Sequence, residues 1–200
     1  MDHRGGRGGG TARRNDTAAM RVAACGKGHL MALLLLVRHA APAIDPQLPH
    51  ADWPLSKRGI TAAKTLGLKL RTDVLDVKAS PQPKAADTAR YAFGEFTSDE
   101  RLIEAYRPFY EDVEELRTDS HRWLSGEWLT EWERREDVLD RMTWATMEAT
   151  SRTCFVGHGL AISVLVNSIT GVSAADFFTR MPMPAAYWLD TSRGTVVPAG

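Results

Sequence analysis

Apolar positions along the chain fall into short unbroken runs separated by stretches of helical spacing, the alternation expected of parallel βαβ units. The first run, Leu33 to Val37, stops at Arg38 and His39. It is too short to span a bilayer and suits a central strand buried on both faces. Ser56 is placed to cap a helix over 57–70, in which Ile60, Ala63, Leu66 and Leu70 share a face. Val74 to Ala79 reads as a second strand, Ser80-Pro81-Gln82-Pro83 as a turn opening a helix through Lys84, Thr88 and Tyr91, and Gly94 to Phe96 as a short third strand. Helical spacing returns over 133–150, with Val138, Met142, Ala145 and Ala149 on one face. Arg152 to Gly157 is a further strand. Leu160 to Thr170 is a helix apolar nearly all round and ended by Gly171, Ser173 caps a short helix containing Phe177 and Phe178, and Tyr187 to Thr191 closes the sheet.

Two stretches break this rhythm. Ala41 to Ser56 holds four prolines with His50, Asp52 and Trp53 and shows no period, so it is a loop long enough to be functional. Residues 99–132 are dominated by acidic, aromatic and arginine side chains, which predicts an insertion with some helix lying like a lid over one end of the sheet. The tryptophans at 123, 128, 132 and 144 are assigned to packing that segment.

Composition adds a boundary. Formal net charge is zero, but residues 1–30 carry six Lys/Arg against two Asp and hold seven of the sixteen glycines. Such a segment cannot bury enough surface to offset its ordering entropy and is expected to be a disordered basic tail before a domain over 31–200. The remainder is mildly acidic, which argues against nucleic-acid binding through a basic surface. Two cysteines, Cys25 and Cys154, make no disulfide framework and fit a reducing, cytoplasmic compartment; no run is long enough for a membrane span. Oligomeric state is left open.

Chemistry concentrates where strands end. Val37-Arg38-His39 and Val156-Gly157-His158-Gly159 each place a histidine at a sharp break, and Ala79-Ser80 leads into a helix bearing Lys84 one turn in. Parallel packing brings these ends together at the carboxyl edge of the sheet, where ligands of open α/β folds bind. The helix beginning near Leu160 is expected to aim unpaired N–H groups into the same space, a setting suited to phosphate. Taken alone, Arg38 and His39 could equally be the polar stop of a strand, Arg38 paired with an acid such as Asp45, and Ser80 could be a turn residue rather than a phosphate donor.

The order of Leu-Val-Arg-His-Ala (36–40), Leu-Ser-x-x-Gly (55–59), Ala-Ser-Pro-x-x-Lys-Ala-x-x-Thr-Ala (79–89), Arg-Leu-Ile-Glu (101–104) and Val-Gly-His-Gly (156–159) resembles the histidine phosphatase superfamily over roughly residues 32–191. The resemblance implies a phosphoglycerate mutase-like fold, a three-layer α/β/α sandwich with a mostly parallel sheet. It implies a phosphomonoester hydrolase in which His39 is the nucleophile and passes through a phosphohistidine. Arg38, Lys84, His158 and Ser80 would surround the phosphate, and Glu104 would exchange a proton with the leaving oxygen and then with water. No metal or cofactor is implied; the substrate would be a phosphorylated small molecule or phosphoprotein. A protein phosphohistidine phosphatase and a phosphate-binding domain without turnover stay open as alternatives. Two positions depart from the family pattern. Ala40 replaces a common glycine, and Lys84 replaces an arginine, keeping the charge but losing the planar two-point grip on phosphate oxygens. Glu104 also competes with Glu111 and Asp112 for the role of acid, because the family's Gly-x-Trp-Glu-Gly continuation is missing.

Overall fold

Leu34, Leu35, Leu36 and Val37 are each at most 1% exposed, so the first strand is covered on both faces. The computed structural model describes residues 33–70, 74, 76–150 and 152–199, and the expected tail at 1–30 lies outside them. Elements follow as β1 (Leu33–Arg38), α1 (Lys57–Leu70), β2 (Asp76–Ala79), α2 (Pro83–Phe93), β3 (Thr97–Ser98), a 3₁₀ turn (Glu100–Leu102), α3 (Val113–Leu124), α4 (Arg135–Met147), β4 (Thr153–Gly157), α5 (Gly159–Thr170), α6 (Ala174–Arg180), β5 (Ala185–Asp190) and β6 (Thr195–Pro198).

The six strands form one sheet in the order β3-β2-β4-β1-β5-β6. The β3–β2, β2–β4 and β4–β1 pairs are parallel, while β5 and β6 are added antiparallel at the other side. Because side chains alternate across a strand, β1 feeds two cores at once. Leu34 and Leu36 pack with Leu116 and Trp123 of α3, Met142 of α4, Leu165 of α5 and Phe177 of α6. Leu35 and Val37 pack with Leu70 of α1 and Ala85 and Ala89 of α2. Helices therefore cover both faces, which is the three-layer α/β/α arrangement. Truncating one of these fully buried leucines to alanine costs about 2–5 kcal/mol.

Three expectations are corrected. The third strand falls at Thr97–Ser98 instead of 94–96, because Gly94, at φ 94°, ends α2 with its N–H on the Arg90 carbonyl and uses up those residues in the turn. The closing strand is one arm of a hairpin whose second arm, Thr195–Pro198, is too short and polar at its start to stand out as a run. Of the four tryptophans, Trp123 and Trp132 are buried and 5.7 Å apart between ring centroids, but Trp128 and Trp144 are 65% and 66% exposed. Trp144 lies on the outward face of α4, opposite the stripe of Val138 and Met142.

Candidate active site

The carboxyl ends of β1, β2 and β4 lie side by side. Arg38 pairs with Gly157 across β1 and β4, Ala79 with Val156 across β2 and β4, and the His39 N–H donates to the Gly157 carbonyl at 3.0 Å. His39 and His158 are thereby brought together with ring centroids 5.2 Å apart. Both are buried. A cavity of about 360 Å³ opens over this edge, lined at its floor by Arg38, His39, Lys84, Glu104 and Arg107.

Backbone contacts fix the nucleophile candidate. The Ala40 carbonyl accepts from His39 Nδ1 at 2.8 Å; since a carbonyl only accepts, Nδ1 carries the ring proton and Nε2 keeps its lone pair. The Ala40 N–H in turn donates to Thr88 Oγ1 at 2.9 Å, whose hydroxyl donates to the Lys84 carbonyl. The Leu-Ser-x-x-Gly motif acts one residue further on. Ser56 donates both its N–H and its hydroxyl to the Ala41 carbonyl, and a Cβ on Gly59 would stand 2.2 Å from that oxygen. Ser56 Oγ also accepts from the Gly59 N–H, which caps α1 as the sequence predicts.

Burial, followed by the positive charge of Lys84, then Arg38 and Arg107, pushes the His39 imidazole down to about 3, so it is neutral throughout the physiological range. His158 is held well below its ordinary value by burial, with His39, Lys84, Arg107 and Arg141 adding to the shift. Its Nε2 contacts Ser80 Oγ at 2.9 Å. Ser80 Oγ also accepts from the Gln82 N–H at 3.3 Å. Ser80 is fully buried and sits behind His158, where it positions the imidazole; it does not line the cavity.

Arg38 makes no ion pair with Asp45. Its Nη1 donates to the Met181 carbonyl, and Cζ lies 4.9 Å from the Phe178 ring centroid. Gly159 is required here, since a Cβ would come within 2.6 Å of the Phe178 ring and 3.1 Å of Arg38 Cζ. Lys84 is 4% exposed, and burial lowers its ammonium to about 8, with Arg107 adding to the shift and Glu104 opposing it. Its Nζ donates to the His50 carbonyl and, at 3.4 Å, to that of Ala51.

Glu104 lines the cavity, whereas Asp112 caps α3 by accepting the Glu114 N–H and Glu111 is exposed. The expectation that the start of α5 offers its N–H groups to phosphate is corrected: those of Leu160 and Ala161 donate to the Glu104 carboxylate at 3.2 and 3.0 Å, and the Ala105 N–H joins them. The helix terminus holds a carboxylate in place instead of an anionic ligand. Two buried N–H donors around the floor nevertheless lack partners, Arg38 Nε and Arg107 Nε, and the His158 Nδ1 nitrogen has none either. Buried donors of this kind call for an acceptor, and an oxyanion supplies several at once. Arg107 is absent from the motifs read in the sequence; its position three residues after Glu104, inside the aperiodic stretch, is the only signal that could have found it.

Farther out the walls come from the 41–56 loop, through Pro42, Ile44 and Trp53, and from Val113, Leu116, Arg117, Ser120 and His121 of α3, with Phe178, Thr179, Met181 and Met183 opposite. Residues 99–132 thus close one side of the cavity. Among the described residues no helix is long and apolar enough to cross a membrane.

A family model described as histidine phosphatase superfamily (branch 1) matches residues 34–195. No curated protein matches the chain. Among solved structures, the protein TTHB049 of Thermus thermophilus superposes with a TM-score of 0.66 at 19% identity, covering 84% of this chain and 99% of that one. The mycobacterial glucosyl-3-phosphoglycerate phosphatase gives 0.60 at 19% identity, covering 78% and 89%. The product of the open reading frame Rv3214 from Mycobacterium tuberculosis gives 0.62 at 23% identity, covering 84% and 96%. At these identities the likeness is one of fold.

Proposed function

This chain belongs to the histidine phosphatase superfamily, and we propose that it is a metal-independent phosphomonoester hydrolase working through a phosphohistidine on His39. The observation that carries this reading is the His39 ring itself, neutral, proton-fixed on Nδ1, and set beside Arg38 and Lys84 at the floor of the cavity. In the first step the Nε2 lone pair attacks phosphorus, the bond from phosphorus to the ester oxygen breaks, and Glu104, acting in its protonated carboxylic acid form, gives that oxygen its proton and becomes the carboxylate as the alcohol leaves. The charge that develops on the ring is balanced through Nδ1–H on the Ala40 carbonyl. Arg38, Lys84 and His158 stabilise the equatorial oxygens; removing one such donor is worth about 10²–10³ in rate. In the second step water attacks the phosphohistidine, Glu104 recovers a proton from it, and inorganic phosphate leaves with His39 restored.

Hydrolysis of an aryl phosphate by parent and His39→Ala protein, each with and without chelator, tests the proposal. The substitution is expected to lower the rate at least about 10³-fold and the chelator to have no effect. Equal rates for the two proteins, or abolition by chelator, would overturn it.

A further inference from the structure

The cavity floor holds one more cation than the family motifs supply. Arg107 lines the cavity with Arg38, His39, Lys84 and Glu104. Neighbouring arginines are engaged by carboxylates, Arg101 by Asp99 and Glu148, Arg122 by Asp119 and Glu127, and Arg141 by Glu133. Among the described residues Arg107 has no such partner. Its Nη1 donates to the Ala105 carbonyl at 3.2 Å, and Cζ lies 5.9 Å from the Trp132 ring centroid. That leaves one edge of the guanidinium, the parallel Nε–H and Nη2–H, without a hydrogen bond among the described residues, and Nε is buried. This edge has the geometry that grips two oxygens of a phosphate or carboxylate at once.

Lys84 is differently occupied. Two of its three ammonium donors are directed at the His50 and Ala51 carbonyls, both in the loop that follows β1. With part of its donor capacity used there, what a lysine offers a ligand is a point contact. We propose that Arg107 supplies the planar, two-donor grip on the transferred phosphoryl group that a lysine at position 84 cannot make, while Lys84 straps the 41–56 loop over the site. The division explains how a site with lysine in place of arginine retains a fork: it comes from the covering segment, three residues past Glu104. The inference rests on the hydrolase reading for the identity of the ligand, yet it concerns phosphate binding and can be measured without turnover.

Titration calorimetry with inorganic phosphate on charge-conserving variants decides it. Arg107→Lys is expected to weaken phosphate at least tenfold, and Lys84→Arg to stay within threefold of the parent. Arg107→Lys keeps the charge and the aliphatic stem, so its melting temperature should match the parent's, where Arg107→Ala would fall through lost packing. For the strap, Lys84→Met is expected to speed amide hydrogen exchange over residues 42–55 at least tenfold, with no such change in Arg107→Lys. Phosphate affinity within twofold of the parent in Arg107→Lys, a tenfold gain in Lys84→Arg, or unchanged exchange in Lys84→Met would overturn the proposal. A protein that binds phosphate through Arg107 but never forms a phosphohistidine would instead defeat the hydrolase reading and leave this one standing.

Discussion

The floor and the wall of the cavity are built by different means. The strand-end residues of the floor and those just behind it are held by the sheet. Arg38 and His39 continue β1, and behind them His158 follows β4 and Ser80 follows β2, each backbone tied to its neighbour by strand pairing or by a bond such as Ser80 N–H to the Val156 carbonyl. The loop side of the wall lies outside the sheet and is held by turn bonds and side chains, with backbone bonds such as Ala43 N–H to the Pro54 carbonyl. The 41–56 loop has a single isolated bridge, Pro42 with Leu55, together with the Trp53 Nε1 bonds to the Asp45 and Leu48 carbonyls and the Lys84 strap. Ile44 and Met183 at the rim are 52% and 43% exposed. A floor that cannot shift suits a reaction needing fixed geometry, while a wall that can vary suits the choice of leaving group.

Breaking the floor should cost most. Glu104→Gln is expected to lower kcat/KM by about 10²–10⁴ and, because water attack also needs a base, to let phosphoenzyme accumulate. Rapid-quench kinetics would show both effects; an unchanged rate would remove Glu104 from the mechanism. The tie between floor and loop comes next. Gly59→Ala drives a Cβ against the Ala41 carbonyl and is expected to destabilise the protein by about 1–3 kcal/mol. That corresponds to a fall in melting temperature of about 2–4 °C per kcal/mol, read by calorimetry.

Two groups of the floor also titrate apart. His39, at about 3, stays neutral and adds no acid limb near neutrality, whereas Lys84, at about 8, is charged below that pH and loses its charge above it. The free-enzyme profile of kcat/KM should therefore fall on the alkaline side with a midpoint near 8, and in Lys84→Arg this limb should move beyond about pH 10. A limb that stays near 8 in Lys84→Arg would assign it to another group. At the wall, Ile44→Ala should change KM for different esters by less than about tenfold with kcat little altered. Smallest of all, Trp144→Ala on the exposed face of α4 should change stability by no more than about 0.5 kcal/mol, checked by denaturant unfolding.

The same division decided what could be read in the sequence. β1, α1, β4 and α5 were legible because their apolar periods are strong and their stops, Arg38, Ser56, Gly157 and Gly171, are chemically distinct. His39, His158, Arg38, Lys84 and Glu104 fall in short motifs set by backbone geometry, so their assembly followed from strand order. Arg107 was hidden because its place depends on how an aperiodic segment folds back over Trp132, and no local pattern encodes such a contact. The engagement of the α5 terminus by Glu104 was hidden for a related reason: it joins residues 56 and 57 positions apart through side-chain to backbone bonds. Thr88 stood in a motif, but its service to the Ala40 N–H becomes visible only when α2 lies against β1.

The central claim is that a phosphoryl group passes through His39. Incubation of the parent protein with a ³²P-labelled phosphate monoester, acid-free quenching into denaturant at alkaline pH, and peptide mapping would test it directly. Label is expected on the peptide containing His39, stable to base, lost in mild acid, and absent from His39→Ala. Turnover of the ester with no label on His39, or label that persists in His39→Ala, would contradict it.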